Sequence, residues 1–286
     1  MFGLPQDDDL LIKGLTVHSD PDDGSSPVRL EGVELRLARG EWLNLVGVNG
    51  SGKSTLARIV AGLSASGATG TIRRGFAGAM PSAYVMQQPD AQLFGETPRE
   101  EMTFALEWMG VPAPEIPQRA ERMLERADLL ALADLPWKRL SGGQRQLAAV
   151  AAAAAGRSPL IVFDEATSML DAAAGSKVMA IARELQAEGT AVVWVTQRLE
   201  ELRPDSRVAA MAGGRLVFDG NGREFLYGAD PLRETSPCAA CGLRLPYLAS
   251  LAVELHRLGR LAAPLPMTEE EWCSLRVREK AGAERG

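Results

Sequence analysis

The chain has 286 residues, 46% of them hydrophobic, and its 31 basic against 37 acidic side chains give a formal net charge of −6. This length suffices for one large domain and a small additional segment. No apolar run approaches the roughly 18 residues of a membrane-spanning helix, and residues 1–9 lack the basic start of a signal peptide. The acidity argues against broad nucleic-acid binding, which needs a basic surface. With three cysteines, a disulfide framework is not expected.

The N-terminal part of the chain predicts a β-rich layer. Residues 28–38 alternate apolar and polar side chains but change phase at Gly32. This pattern indicates either an antiparallel pair of strands or one bulged strand. Residues 41–46 then have the composition of a buried strand, and residues 53–62 that of a helix.

Between that strand and that helix lies a glycine-rich loop. Its glycines let the backbone present several N–H groups to one phosphate, and the positive end of the helix faces the same anion. By this mechanism Lys53 reaches the β- and γ-phosphates of a nucleoside triphosphate, and the Ser54 hydroxyl ligates Mg²⁺. An ordinary glycine-rich turn is the alternative. The predicted phosphate-binding residues are Gly47, Val48, Asn49, Gly50, Ser51, Gly52, Lys53, Ser54 and Thr55.

A second strand delivers two carboxylates. Residues 159–163 are mostly apolar and end at Asp164 and Glu165, as expected where a central parallel strand reaches its carboxyl edge. We predict that Asp164 holds Mg²⁺, directly or through water, and that Glu165 polarises the water that attacks the γ-phosphate. Alternatively, the pair begins a helix.

A third motif, Leu-Ser-Gly-Gly-Gln over residues 140–144, opens an alanine-rich helix. Ser141 and Gln144 fit a capping box, so a plain helix start is one interpretation. The other is that Gly142 and Gly143 leave the first N–H groups of the helix accessible to a second anion.

Together these motifs resemble those of the ATP-binding cassette ATPases. The resemblance implies an α/β P-loop fold with an antiparallel β layer and a helical subdomain, ATP and Mg²⁺ as cofactors, and head-to-tail pairing of two cassettes. Each ATP then lies between one phosphate-binding loop and the Ser141–Gln144 segment of the other cassette. Gln87 matches the glutamine loop, which links the Mg²⁺ site to the transport partner, and the resemblance makes it a catalytic residue and a third Mg²⁺ ligand. Asp171 matches the loop that passes between the two sites.

Two positions depart from the family pattern. Gln197 stands where the family usually has a histidine, and an amide can donate a hydrogen bond to the γ-phosphate but cannot become cationic. We therefore expect slower hydrolysis, rather than none. Near the N-terminus no aromatic ring is available to stack on adenine; His18 could stack instead, or it could be an ordinary surface residue.

The remaining pattern predicts helices over residues 98–109 and 118–132, within a helical arm of about residues 95–158. A helix follows Asp171 up to residue 186, a strand includes Val192, and a hairpin turns at Gly213 and Gly214. The cassette is predicted to end near residue 226. Residues 227–286 are predicted to form an extension with an amphipathic helix over residues 243–259. This helix is expected to pack either on its own cassette or on a second copy, as in dimerisation.

That extension and the sequence Gln-Gln-Pro-Asp-Ala-Gln-Leu-Phe over residues 87–94 resemble the ATPases of energy-coupling factor transporters. The resemblance implies a peripheral subunit on the cytoplasmic face of the membrane that powers vitamin or transition-metal import. Its partners would be a second cassette, identical or related, a transmembrane coupling protein and a substrate-capture protein. The coupling helices would dock near residues 92–101, unless that segment is an ordinary solvated loop.

Two other functions remain open, a nucleotide sensor with weak turnover and a cassette ATPase without a transport role. Gln197 is the best support for the sensor. The non-transport class usually carries a long coiled-coil insertion or two cassettes, and neither is present in this sequence. Cys238 and Cys241 have metal or redox spacing, but ordinary reduced thiols are the simpler interpretation because no second cysteine pair follows.

Overall fold

The computed structural model describes residues 8–18, 28–63, 67–232 and 235–275. The chain divides into two compact units. The first unit comprises Met1–Leu43 and Gly52–Val195, and the second comprises Asn44–Ser51 and Thr196–Gly286. The predicted cassette boundary near residue 226 stays a prediction. Within the described ranges, no helix has both the length and the apolar character needed to cross a bilayer.

The first unit contains an antiparallel sheet with strand order β2-β1-β4. Its strands are β1 (Leu10–His18), β2 (Val28–Leu37) and β4 (Ala68–Arg73). The β1–β2 register is shifted at several points, and Gly32 has a φ of 59°. Residues 28–37 are therefore one irregular strand, the second of the two predicted options.

The first unit also holds strands in the order β5-β6-β7-β3, in which β6 is parallel to both β5 and β7. These are β5 (Ala83–Val85), β6 (Leu160–Asp164), β7 (Ala191–Thr196) and the first residues of β3 (Trp42–Gly47). Every residue of β3 and β7 is buried, and β6 is buried up to Asp164. Two-sided burial explains the continuous apolar runs in the sequence, and β6 brings the Asp-Glu pair to the carboxyl edge of the sheet.

Among the described residues, the first unit contains five α-helices. They are α1 (Lys53–Val60), α2 (Pro98–Trp108), α3 (Ile116–Arg126), α4 (Gly142–Ala155) and α5 (Ala172–Ala187). A shared core buries Met102 and Leu106 of α2, Leu124 of α3 and Val150 of α4. This packing forms the predicted helical arm.

The prediction that the second arm helix continues to residue 132 is wrong. The helix α3 ends at Arg126, and Asp128 has a φ of 56°, in the left-handed region that interrupts a helix. Residues 130–132 instead form one separate 3₁₀ turn.

The second unit contains the remainder of β3, then β8 (Arg207–Ala212) and β9 (Arg215–Asn221), in the order β3-β8-β9. The antiparallel pair β8 and β9 confirms the predicted hairpin. Gly213 and Gly214 have φ values of 54° and 77°, the positive values that a tight two-residue hairpin turn requires. The helix α6 (Gly222–Tyr227) follows directly.

The C-terminal part of the second unit is helical. It contains α7 (Pro237–Ala240), α8 (Tyr247–Arg257) and a helical segment over residues 269–275. The predicted start of the amphipathic helix at residue 243 is wrong, because Pro246 is the N-cap of α8, with a non-helical ψ of 152°. Phe225, Cys238, Cys241 and Leu265 are buried in one apolar core. Burial raises the pKa of the Cys238 thiol to about 12.

Candidate nucleotide-binding site

The phosphate-binding loop has a backbone that only glycine adopts easily at several points. Gly50 and Gly52 have φ values of 77° and 100°. Gly52 is the N-cap of α1 and contributes no side-chain hydrogen bond there. Lys53, Ser54 and Thr55 form the first turn of that helix, whose N–H groups are therefore not covered by a capping side chain.

The part of the loop in the second unit is tightly packed at its base. A Cβ atom on Gly47 would lie 2.4 Å from the Met211 carbonyl oxygen and 2.6 Å from Ser51 Oγ. The Ser51 N–H donates to the Val48 carbonyl at 3.2 Å, which closes a turn. Ser51 Oγ is buried and has no hydrogen-bond partner in the described chain. A buried hydroxyl of this kind suits a phosphate oxygen, so the residues present fit the predicted ligand.

In the first unit, Lys53 lies beside the carboxylates of β6. Its side chain is almost fully buried, and Nζ is 3.8 Å from Glu165 Oε1. Burial lowers the pKa of Lys53 from its ordinary value, while the charges of Glu165 and Asp164 oppose that shift. The ammonium group is thus held close to the predicted catalytic carboxylate.

Two of the three predicted Mg²⁺ ligands, Ser54 and Asp164, are hydrogen-bonded neighbours. Ser54 Oγ donates to Asp164 Oδ1 at 3.1 Å. Hydroxyl and carboxylate oxygens are the donor atoms that Mg²⁺ prefers, so this pair suits the ion. The other carboxylate oxygen, Asp164 Oδ2, accepts from the Tyr84 hydroxyl at 2.7 Å. Burial, followed by the charge of Asp164, raises the pKa of Tyr84 well above its ordinary value, so the phenol stays protonated.

Glu165 adopts an unusual backbone conformation, with a φ of 52°. Its N–H donates to the Val195 carbonyl at 3.0 Å, and its own carbonyl accepts from Ser168 Oγ at 2.8 Å. Gln87 Nε2 in turn donates to Ser168 Oγ at 3.1 Å. The structure therefore connects the predicted glutamine-loop residue to Glu165 through one serine.

The Ser141–Gln144 segment forms the predicted capping box. The Gln144 N–H donates to Ser141 Oγ at 3.2 Å, and Gln144 Oε1 accepts from the Ser141 N–H at 2.8 Å. A Cβ atom on Gly142 would meet nothing within 4 Å, so the outer side of this turn is open. A Cβ atom on Gly143 would lie 3.1 Å from Ala174 Cβ in α5. None of these contacts of the Ser141–Gln144 segment involves Lys53, Ser54 or Asp164.

Asp171, the predicted residue between the two sites, is the N-cap of α5. Its Oδ1 accepts from the Ala174 N–H at 2.8 Å. Since Gly143 packs on the same alanine, the starts of α4 and α5 are neighbours. The two predicted elements of an intersubunit contact thus share one surface of the first unit.

The helix α4 also holds residues on both sides of Gln87. Arg145 Nη1 donates to both carboxylate oxygens of Asp90, at 2.8 and 3.0 Å. The buried Gln146 donates through Nε2 to the Met86 carbonyl at 3.0 Å. Sequence reasoning missed these links, because the residues are more than 50 positions apart and no periodicity relates them.

In the second unit, Gln197 contacts the phosphate-binding loop. Its Nε2 donates to Asn49 Oδ1 at 2.7 Å. The preceding residue, Thr196, donates through Oγ1 to Glu201 Oε2 at 2.7 Å and accepts from the Arg198 N–H at 2.9 Å. These bonds hold the turn that carries Gln197. His18 is exposed at the end of β1, and its adenine-stacking role stays a prediction.

A phosphate-binding loop between a buried strand and a helix, with an Asp-Glu pair at the end of another strand of the same sheet, defines the P-loop class of nucleoside triphosphatases. Within that class, the family model described as ABC transporter matches residues 30–168.

Curated relatives extend the match over most of the chain. The energy-coupling factor transporter ATP-binding protein EcfA1 of Lacticaseibacillus paracasei is 36% identical over 85% of this chain and 88% of its own length. The EcfA1 protein of Symbiobacterium thermophilum is 36% identical, with coverages of 86% and 87%. That of Bacillus subtilis is 34% identical, with coverages of 84% and 87%. This chain belongs to the family of energy-coupling factor transporter ATP-binding proteins and is an ATP-binding cassette ATPase.

Two solved structures have the same fold. One is cbiO1 from Clostridium perfringens, described as part of the ABC transporter complex cbiONQ; it is 27% identical, with a TM-score of 0.61, and the match covers 84% of this chain and 98% of that one. The other is a dimeric ATP-binding cassette in a post-hydrolysis state, bound to ADP and Pi. It is 25% identical, with a TM-score of 0.64 and coverages of 74% and 98%.

Proposed function

We propose that this chain is the ATP-hydrolysing subunit of an energy-coupling factor importer, which takes up a vitamin or a transition-metal ion. The observation that carries the proposal is the cluster in the first unit where Lys53 Nζ lies 3.8 Å from Glu165 and Ser54 Oγ lies 3.1 Å from Asp164. This cluster combines a phosphate-binding cation, two oxygen ligands for Mg²⁺ and a carboxylate base.

The residues of the site have distinct roles in this proposal. The loop N–H groups and Lys53 bind the phosphates, and Glu165 accepts the proton of the attacking water. Ser54 and Asp164, with Gln87 as the third proposed ligand, would hold Mg²⁺, which would supply positive charge to the phosphate oxygens. Gln197 donates a hydrogen bond to the γ-phosphate. These assignments agree with the donor and acceptor chemistry of each side chain.

A second cassette completes the site. The turn at Ser141, Gly142 and Gly143 supports this step, because Ser141 and Gln144 bond to each other within the cap and a Cβ atom on Gly142 would meet nothing within 4 Å. The solved relative described as a dimer bound to ADP and Pi also supports it. The second cassette is a copy of this chain or a related one.

The segment of residues 92–101 is the proposed docking surface for the transmembrane coupling protein, which works with a substrate-capture protein. Glu101 is buried and accepts from the N–H groups of Phe94 and Gly95 at 2.7 and 2.8 Å. Trp137 Nε1 donates to the Gly95 carbonyl at 2.5 Å. These bonds hold the loop while the Phe94 ring stays 85% exposed. Docking there places the chain on the cytoplasmic face of the membrane as a peripheral subunit.

The proposal is tested by phosphate release from ATP and Mg²⁺, with the chain purified in its membrane complex and Glu165→Gln as the control. A complex that binds ATP but releases no phosphate above the Glu165→Gln background would favour a nucleotide sensor, for which Gln197 is the supporting observation. Mass identification of the co-purified subunits tests the partners. Recovery of the chain without any membrane protein would contradict the transport role.

A further inference from the structure

The Tyr84 hydroxyl is the second partner of the carboxylate that is proposed to hold Mg²⁺. It donates to Asp164 Oδ2 at 2.7 Å, while Asp164 Oδ1 accepts from Ser54 Oγ at 3.1 Å. Each oxygen of the carboxylate therefore has its own hydroxyl partner. One of these hydroxyls belongs to the predicted metal-binding pair, and the other comes from a separate strand.

The sheet register explains why Tyr84 reaches this carboxylate. The strands β5 and β6 are parallel, and Tyr84 lies opposite Val162, two residues before Asp164. Because side chains alternate between the faces of a strand, Val162 and Asp164 point to the same face, and Tyr84 points there as well. The long phenol ring spans the diagonal to Asp164, while Val85 is fully buried on the other face.

We propose that Tyr84 is a positioning residue for Mg²⁺ binding: its hydroxyl holds the Asp164 carboxylate so that Oδ1 faces the ion beside Ser54. This inference rests on the proposed function. A carboxylate with one oxygen fixed by a hydrogen bond loses less rotational freedom when it binds a cation, and removal of such a supporting partner costs about 10- to 100-fold in metal affinity.

Tyr84 also lies close in sequence to the glutamine loop, while its hydroxyl contacts Asp164. Tyr84 lies three residues before Gln87, and the intervening Met86 carbonyl is held by Gln146 of α4. The strand β5 thus leads directly from the residue that contacts Asp164 to the glutamine loop.

The competing explanation is that the hydroxyl merely satisfies its own hydrogen-bonding requirement. The chain offers a matched control, because the hydroxyl of the buried Tyr227 donates to the Pro266 carbonyl at 2.5 Å in the second unit. Tyr84→Phe and Tyr227→Phe each remove one partly or fully buried phenol hydroxyl, and only the first hydroxyl contacts Asp164.

The experiment measures Mn²⁺ binding by electron paramagnetic resonance, at saturating ATP, in a Glu165→Gln background that prevents turnover. ATP binding in EDTA is measured in parallel with a fluorescent analogue. We expect Tyr84→Phe to raise the Mn²⁺ dissociation constant about tenfold while ATP affinity in EDTA is unchanged. Tyr227→Phe should leave both values unchanged.

An unchanged Mn²⁺ dissociation constant in Tyr84→Phe would overturn the inference, as would an equal loss of ATP binding in EDTA, since the hydroxyl would then support the fold in general. If the Glu165→Gln parent binds no Mn²⁺ with ATP, the proposed function fails and this inference fails with it. A parent that binds Mn²⁺ normally, with no effect of Tyr84→Phe, overturns only the role of Tyr84.

Discussion

The Gln197 side chain donates from Nε2 to Asn49 Oδ1 at 2.7 Å. This bond ties the residue after β7 to the middle of the phosphate-binding loop in the second unit. An amide carries two N–H donors, and this bond uses one of them. Since the amide remains neutral, the contact orients Gln197 without adding positive charge to the loop.

We predict that Gln197→His increases ATP turnover by about tenfold or more, because a positioned imidazole can both donate a hydrogen bond and carry a proton. Phosphate release by the purified complex is the measurement. Gln118→His, in an exposed position of α3, is the control for the substitution itself. A turnover rate that is unchanged or lower in Gln197→His would contradict this interpretation of the site.

Replacement of Glu165 by glutamine should reduce turnover by about 10²- to 10⁴-fold, the usual contribution of a general base. ATP binding should persist, because the phosphate-binding groups come from the loop and α1. Equilibrium binding of a fluorescent ATP analogue, compared with phosphate release, separates the two effects. Turnover within a factor of about three of the parent would mean that another group is the base.

Gly47 and Gly50 of the phosphate-binding loop should differ in how much an added methyl group destabilises the fold. A Cβ atom on Gly47 would overlap the Met211 carbonyl at 2.4 Å, whereas one on Gly50 would meet nothing within 4 Å. Gly50→Ala should cost about 1–2 kcal/mol of unfolding free energy from its positive φ alone. Gly47→Ala should cost more than Gly50→Ala and should also weaken ATP binding. Urea unfolding of both variants tests this order, and equal losses of stability would contradict it.

The cysteines should differ in reactivity. Cys273 is exposed, while Cys238 and Cys241 are buried and burial raises the pKa of both thiols. A neutral, buried thiol is a poor nucleophile, so iodoacetamide at pH 8 should modify Cys273 in the native protein and all three cysteines in urea. Mass spectrometry of the labelled peptides is the measurement. Rapid native labelling of Cys238 would contradict the prediction.

The same thiol should make stability depend on alkaline pH. The native state keeps the Cys238 proton up to a pKa of about 12, whereas the ordinary value is 9.0. Between these values the unfolded chain releases a proton that the native chain retains, so the unfolding free energy falls as the pH rises. Urea midpoints at pH 8 and pH 10.5 test this, and Cys238→Ala should show a smaller decrease.

Local patterns predicted most of the elements that carry the site. The phosphate-binding loop, the Asp164 strand and the capping box at Ser141 are recognisable because each depends on neighbouring residues. The hairpin at Gly213 follows from turn chemistry in the same way. In each case a residue type is required by the local backbone, and the sequence displays it directly.

Other features depend on residues that are distant in sequence. The role of Tyr84 was missed because it depends on the register of β5 with β6. The position of this tyrosine, three residues before Gln87, could have indicated it. The end of α3 was also missed, because Leu129 is held by a hydrogen bond to Leu124 after Asp128 leaves the helical conformation. The helical spacing of apolar residues continues past Asp128, but there it belongs to the separate 3₁₀ turn over residues 130–132.

The cap at the start of α4 does not use the donor hydrogen of the Ser141 hydroxyl. Ser141 Oγ acts there as an acceptor from the Gln144 N–H, so the hydroxyl hydrogen can still point outward to a phosphate oxygen. A nucleotide brought by another subunit would therefore be received without fraying the helix. Two subunits could then associate and separate repeatedly without breaking either hydrogen bond of the cap. The start of α4 would therefore need no refolding between cycles.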